Sequence, residues 1–468
     1  MVSLGGLTMK KMKRQRLFGV FLLLLFCGLS WGLTVYGHQQ DLSGLEVLRK
    51  TADEHYEKQI YDEALTAYKA CLKAAPEDLH CMKRIASIYG KTGQDNSCIA
   101  WCERVLRQDS HDLSIRLLQA RSYDHKKKVS SAIRVLQRAE ENDGTAAERK
   151  EREELLLDLK GRYELSYFTF EKVYPWFELP DGTVCATVSE GQNLSVYTAA
   201  GKEQFAGAFT YLGASANDRL LFPARSGQDW FFVDEKGERR LVPDRQYTSV
   251  RSFSSGLAPA VRKSGPEPEA PLVAGFLDGE LQEQRFEFQE TCPLEDGYAL
   301  ARKDGTWFLL DASLQEATVC EFTDVQKDVY GRAQKFGLII GKLPGDSAQW
   351  GLFAADGSRI GDFSAEEICM PEAGDSPLAF CREELWGFVS PEGEVVLEPR
   401  FEQAGSFAKG MAPVLQDGKW GYIDKTGEFL IPPTFEDARP FSKNGTAFVK
   451  NHAGYSLLKL SRYHAAGS

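Results

Sequence analysis

The sequence predicts a multidomain chain, α then all-β: an N-terminal transmembrane helix, a short α-solenoid of helical repeats, and a β-repeat domain that closes into a propeller. Three observations predict it. The stretch from Leu17 to Gly37 is uncharged and almost wholly apolar; a 34-residue period with small residues at fixed helical positions starts at Leu45; and beyond Tyr167 short alternating runs separated by glycine turns recur. A chain of 468 residues exceeds what one hydrophobic core serves, so two or three folded units are expected. The 28 Phe, 17 Tyr and 42 Gly lean toward strands joined by tight turns.

Five basic residues, Lys10, Lys11, Lys13, Arg14 and Arg16, stand before the first acidic residue, Asp41. Residues 1–16 therefore read as a cytoplasmic basic segment. Residues 17–37 read as a signal anchor, about the length that crosses the hydrocarbon layer as a helix. The charge bias places everything downstream outside the cytoplasm. The alternative is a cleaved signal ending at Val35-Tyr36-Gly37, an imperfect small-x-small site, which would leave a secreted protein. After residue 16 the chain holds 51 basic against 67 acidic groups, a net charge of −16, which argues against nucleic acid as partner. Nine of the ten cysteines follow this segment; their odd number and lack of regular CxxC spacing do not make a disulfide framework or a zinc ribbon.

From Leu45 the period of 34 holds for three units. Ala52, Ala86 and Ala120 share one position, and Ala64, Cys98 and Ala132 another. Tyr68, Cys102 and Leu136 share a third, and Cys71, Val105 and Ala139 a fourth. Small residues at fixed places on two successive helices let them approach, and the larger ones fill the gaps. Cys98 and Cys102 share a helix face, but both fall on packing positions, so packing outweighs metal binding. Pro76, Ser110 and Gly144 end each unit. The pattern resembles the tetratricopeptide repeat over residues 45–144, departing at the fourth position, where Leu48, Met82 and Arg116 replace the family's Trp. Residues 145–165 read as a capping helix, giving a helical unit of 45–165.

The resemblance implies a concave groove lined by the first helix of each unit. The positions concerned carry Arg49, Asp53 and Tyr56, then Lys83, Ser87 and Gly90, then Leu117, Arg121 and Asp124. The Lys and Asn clamp of chaperone-binding members is not reproduced, since Asp53 and Leu118 stand at clamp positions. Arg49, Lys83 and Arg121 would form a basic strip suited to an acidic peptide.

In the second half, Trp386-Gly387 and Trp420-Gly421 head units that match position for position over 34 residues, with turn glycines at Gly393 and Gly427. Further copies start at Trp350, Trp230 and Leu194, with degenerate ones at Ala274-Gly275 and Trp307. Phe253 to Pro259 parallels Phe407 to Pro413. Each turn glycine marks a hairpin reversal, where positive φ costs glycine little. These units resemble the WG-repeat family, found mainly in bacteria and taken to build β-propellers. The resemblance spans 171–460 and is weak between 274 and 349. Small sheets with two apolar faces need neighbours on both sides, hence a ring. Residues 171–193 and 453–460 resemble complementary half-units that would form one composite blade and remove open edges. Eight blades are expected, seven if 274–349 holds one unit fewer. Residues 461–468 are a C-terminal tail.

Chemistry is sparse. There is no His between 126 and 451, which excludes a Ser-His-Asp or Cys-His site there, and no GxSxG, HExxH or Walker loop occurs. Asp424 to Glu428 reads as a hairpin turn rather than a calcium loop. No cofactor, metal or enzyme activity is expected. The sequence points to a membrane-anchored, extracytoplasmic scaffold that binds protein partners through the groove and the propeller surface. The alternative is a propeller that binds or hydrolyses cell-wall glycan, and aromatics and carboxylates converging at one propeller face would favour it.

Overall fold

The computed structural model describes residues 44–215, 220–241, 247–345 and 349–463. The predicted cytoplasmic segment 1–16 and signal anchor 17–37 lie outside the described residues, as do 464–468. Among the described residues no helix is long and apolar enough to cross a membrane. The chain divides into two compact units, up to Leu156 and from Leu157 onward.

The first unit is a stack of antiparallel helices: α1 (residues 44–57), α2 (Tyr61–Ala74), α3 (Leu79–Lys91), α4 (Asp95–Gln108), α5 (Leu113–His125), α6 (Val129–Gln137) and the greater part of α7 (Ala146–Gly161), whose residues from Leu157 onward are counted in the second unit. Starts at 61, 95 and 129 reproduce the 34-residue period. Ala52, Ala64, Tyr68, Cys71, Ala86, Cys98, Cys102 and Val105 are all fully buried in one core. The first helices of the second and third repeats open on the same device. Asp78 and Asp112 accept from the amides of Cys81 and Ile115, each at 3.0 Å, which satisfies an orphan donor of the first turn. Arg116, standing in place of the family's Trp, is 9% exposed and donates to the Ser110 carbonyl at 2.7 Å.

Helix α7 begins with a capping box, in which Thr145 N donates to Glu148 at 2.7 Å and Glu148 N to Thr145 Oγ1 at 3.2 Å. The predicted capping helix through 165 needs correction, because α7 ends at Gly161 and a strand starts at Tyr163. It also buries less than expected, since only Leu159 and Gly161 are buried and Leu157 is 38% exposed.

The second unit is a closed propeller of eight antiparallel sheets, six with four strands and two with five. Blades 1 to 8 occupy residues 172–207, 211–241, 247–288, 290–319, 324–365, 367–401, 403–435 and 437–460. Blade 8 has only three strands of its own and takes its outermost from Tyr163–Phe170, which pairs with Gly454–Leu460 in a register including Leu165↔Leu458 and Phe170↔Tyr455. The count is therefore eight, not seven. A composite blade is present, but its N-terminal strand is 163–170 rather than 171–193, which belongs to a complete blade 1. The sequence repeat is also offset from the blade. Trp386 and Trp420 are the second residues of third strands, so each Trp-Gly unit supplies the outer half of one blade and the inner half of the next.

Eight apolar clusters fill the eight seams. Trp307 is fully buried between blades 4 and 5, and Trp230 is 9% exposed between blades 2 and 3. Trp350, Trp386 and Trp420 are half-buried beside the seams between blades 5 and 6, 6 and 7, and 7 and 8. The glycine of the pair has a separate cause. A Cβ on Gly421 would lie 2.6 Å from the Ile431 carbonyl oxygen, and one on Gly387 2.6 Å from that of Leu397. At both places the outer strand shifts register, and its bulge presses on the glycine. Pro399 and Pro433 sit in those bulges on outer strands, where a missing donor is tolerated.

Candidate functional site

In the helical unit, the predicted groove residues are mostly engaged with one another or with caps. Arg49 forms an ion pair with Asp78, and Lys83 forms one with Asp112 at 2.5 Å and reaches Asp109 at 3.5 Å. The two pairs are repeat equivalents, each tying one first helix to the cap of the next. Burial alone would raise the Asp112 carboxyl, but Lys83, Ser114 and the Ile115 amide together hold it below its ordinary value. Arg121 pairs with Glu151 at 2.7 Å. Asp53 accepts from Tyr68 at 2.5 Å and His80 at 2.8 Å. Tyr56 Oη lies 2.7 Å from Ser87 Oγ, with the Arg84 guanidinium 4.3 Å and Lys91 Nζ 4.6 Å from its ring centre. Leu117 is buried, and Asp124 is also engaged.

The basic strip expected from Arg49, Lys83 and Arg121 is thus not a set of free charges. Arg49 and Lys83 act as braces between repeats. Replacing both by Glu is expected to destabilise the helical unit by about 1–2 kcal/mol at each site, from a lost partly exposed pair plus like-charge repulsion at a cap. Chemical denaturation followed by helical circular dichroism checks this, and Arg121→Glu should leave the midpoint nearly unchanged. Because the Asp112 carboxyl is depressed on folding, its contribution is present above the unfolded carboxylate range and is lost as pH falls through its folded value.

Two clusters could be mistaken for metal centres. Cys98 and Cys102 Sγ atoms lie 3.9 Å apart, fully buried in the repeat core with other apolar side chains. His111, Glu140 and Asp143 bring ligand atoms within 4.8 Å. His111 Nδ1, however, bonds directly to Asp143 at 2.8 Å, and Glu140 is 74% exposed, so these three form a surface ion-pair network.

The propeller carries the larger feature, a cavity of about 870 Å³ on its axis, reached by residues of all eight blades. Four of its rim elements share one backbone. Ser255-Gly256, Asp296-Gly297, Phe336-Gly337 and Lys409-Gly410 each place two successive residues at positive φ, the two-residue hairpin geometry that matches strand twist. The first residue of each turn differs chemically while the scaffold stays constant. Asp296 also accepts from Gly337 N at 2.8 Å, fixing the neighbouring turn. The Asp424 turn is the hairpin expected, with its carboxylate accepting from the Thr426 and Glu428 amides.

One end of the cavity is closed by a loop that sequence reading missed. Residues 326–333 leave blade 5 and cross the axis to blade 1, opposite in the ring. Tyr330 donates to the Pro175 carbonyl at 2.9 Å, and its ring meets Phe177 at 6.0 Å. Lys327 pairs with Glu290 of blade 4, and Gly331 lies beside Arg251 of blade 3. Asp328 accepts from the Tyr330 and Arg332 amides and from Arg332 Nε at 2.8 Å, which stiffens the crossing. Burial pushes the Tyr330 hydroxyl far above its ordinary value, so it stays a donor. A length signal was present: Trp307 and Trp350 stand 43 residues apart, beyond the repeat period of 34, and about half of the excess lies in this crossing, the rest in the connection 343–349.

Charged groups around the cavity are mixed. Lys335 pairs with Glu372 at 2.9 Å and Lys443 with Glu178. Arg332 and Gln334 lie at the closed end, and Gln334 is 2% exposed.

Comparison with known proteins gave matches to separate parts of the chain. Residues 386–420 and 420–455 match the family described as WG containing repeat. No curated protein matches the chain. Among solved structures, the TPR2B-domain:pHsp70 complex of yeast Sti1 is similar at 26% identity over 24% of this chain and 92% of that one, with a TM-score of 0.22. The first TPR of Spaghetti bound to an HSP90 peptide is similar at 16% identity over 24% and 89%, with a TM-score of 0.22. Yeast Tom70 is similar at 16% identity and a TM-score of 0.22, over 25% of this chain and 24% of its own length, so this chain spans about a quarter of it. Helix starts at 61, 95 and 129 keep the 34-residue spacing of the helical unit, and residues 386–455, which cover parts of blades 6 to 8, are similar to the WG containing repeat.

Proposed function

We propose that this chain is a non-enzymatic interaction scaffold whose principal recognition surface is the propeller mouth. The observation that carries this reading is the rim: four hairpins of one geometry present Ser255, Asp296, Phe336 and Lys409 around a deep cavity. Variable side chains on a rigid scaffold are the usual form of a binding surface. Arg49 and Lys83, by contrast, brace the helical repeats internally, so the groove offers a partner less than its sequence promises. Photocrosslinking residues placed at 336 and at 121 in cells test the reading. Protein adducts are expected from the mouth position, and adducts from position 121 alone would overturn it.

A second reading is favoured by the lining itself. Trp176, Tyr330 and Phe336 share the cavity with Glu295, Asp296 and Asp375, the convergence of aromatics and carboxylates that suits glycan.

Residues 17–37 are proposed to anchor the chain with both repeat units outside the cytoplasm. Protease added to wall-stripped cells should then digest both units and spare the N-terminus. Protection of the chain beyond residue 45 would refute this placement.

A further inference from the structure

We propose that the closed end of the propeller cavity is a recognition point for a neighbouring pair of hydroxyls on a neutral saccharide, with Gln334 as the residue that reads them. The inference rests on the mouth being the recognition surface and names the ligand class for its floor.

Gln334 is 2% exposed, and neither its Oε1 nor its Nε2 has a hydrogen-bonding partner in the protein. Buried amides are almost always satisfied, so an orphan one at the end of a cavity marks a place where a ligand completes the bonding. The charges nearby are matched, Arg332 lying against Asp328 and Lys335 against Glu372, while Arg332 Nη2 has no hydrogen-bonding partner and is a further donor at the floor. A balanced floor gives no advantage to a phosphate or carboxylate, and it favours an uncharged polar group.

The geometry of the amide narrows the class. A carboxamide presents an acceptor and a donor side by side. Two adjacent sugar hydroxyls, each both donor and acceptor, meet that pair in parallel, whereas the N–H and C=O of a trans peptide group point apart and do not. At the rim, Phe336 is 51% exposed and offers a ring for the apolar face of a pyranose. Asp296 and Ser255 on neighbouring turns supply hydroxyl partners. The volume of about 870 Å³ lies in the range of small-ligand sites, roughly 300–1,000 Å³.

The test uses the full chain in detergent, titrated by calorimetry and saturation-transfer NMR with cellotetraose, maltotetraose and chitotetraose, and with an asparagine-containing tetrapeptide as a primary carboxamide. At least one saccharide is expected to bind. Gln334→Leu should weaken it about tenfold or more. That variant should keep or raise the melting temperature, since it removes an unsatisfied buried group. Phe336→Ala, at an exposed position that leaves the fold alone, should weaken the same saccharide by about two- to tenfold.

Absence of saccharide binding, or binding indifferent to Gln334→Leu, overturns the proposal. Gln334-dependent binding of the peptide alone reassigns the floor to carboxamide side chains and overturns the saccharide. Mouth crosslinks that persist in Gln334→Leu while saccharides fail to bind would leave the mouth reading standing without its floor. Saccharide binding without protein adducts at position 336 would uphold the proposal and the mouth as recognition surface, and would remove the protein partner from it.

Discussion

Phe170→Ala is expected to destabilise the propeller by about 3–5 kcal/mol, the range for truncating a buried aromatic. Phe170 is fully buried at the last position of the closing strand. Its ring meets Phe168 at 4.7 Å, Tyr197 of blade 1 at 4.9 Å and Phe448 of blade 8 at 6.2 Å. It therefore joins three things at once: the strand that completes blade 8, the body of that blade, and the neighbour across the seam. The loss should exceed that of an equally buried side chain within one blade, because the closing strand pairs on one side only, with Gly454–Leu460. Urea denaturation followed by intrinsic fluorescence gives the midpoint. Hydrogen exchange should show amides of 454–460 losing protection first. Uniform loss across all blades, with 454–460 unexceptional, would mean that closure is not the weak seam.

Trp307→Ala should likewise cost about 3–5 kcal/mol, whereas Trp420→Ala should cost clearly less. Trp307 is fully buried in the seam between blades 4 and 5, against Leu309, Val325, Ile339 and Phe353, with Lys327 Nζ 5.5 Å from its ring centre. Trp420 lies half-buried at the margin of its cluster. The tryptophans look equivalent in the repeat, yet only burial decides the cost of losing one. At the Trp420 unit the more sensitive partner is Gly421, where any side chain would press on the backbone of the outer strand. Thermal unfolding of the three variants Trp307→Ala, Trp420→Ala and Gly421→Val ranks them. Equal losses at the two tryptophans would show that seam position, not depth, sets their contribution.

The helical repeats were legible because their signal is steric and periodic. Ala52, Ala86 and Ala120 must be small where helices cross, and that requirement survives any choice of surface residue. Turn glycines were legible for the same reason, since Gly393 and Gly427 both adopt positive φ. Less legible was anything set by contact between distant segments. Arg49 and Lys83 were read as exposed groove charges, but their fate depends on Asp78 and Asp112, caps of helices in the following repeat. Residues 163–165 fell in a predicted helix because Leu165 continues the leucine pattern of α7, while pairing with Leu458 draws it into a sheet. Tyr330, Arg332 and Gln334 lie in the weakest stretch of the repeat, and only the ring brings blade 5 opposite blade 1.

Ring closure also sets a clock on synthesis. Phe168 and Ser456, which bond across the closing pair, are 288 residues apart in the chain. At about 5–20 residues per second, roughly a quarter of a minute to a minute passes between the emergence of the first strand and that of its partner. Throughout that interval the Tyr163–Phe170 segment has an unpaired edge, and the nascent chain depends on whatever shields that edge until Gly454–Leu460 leaves the ribosome.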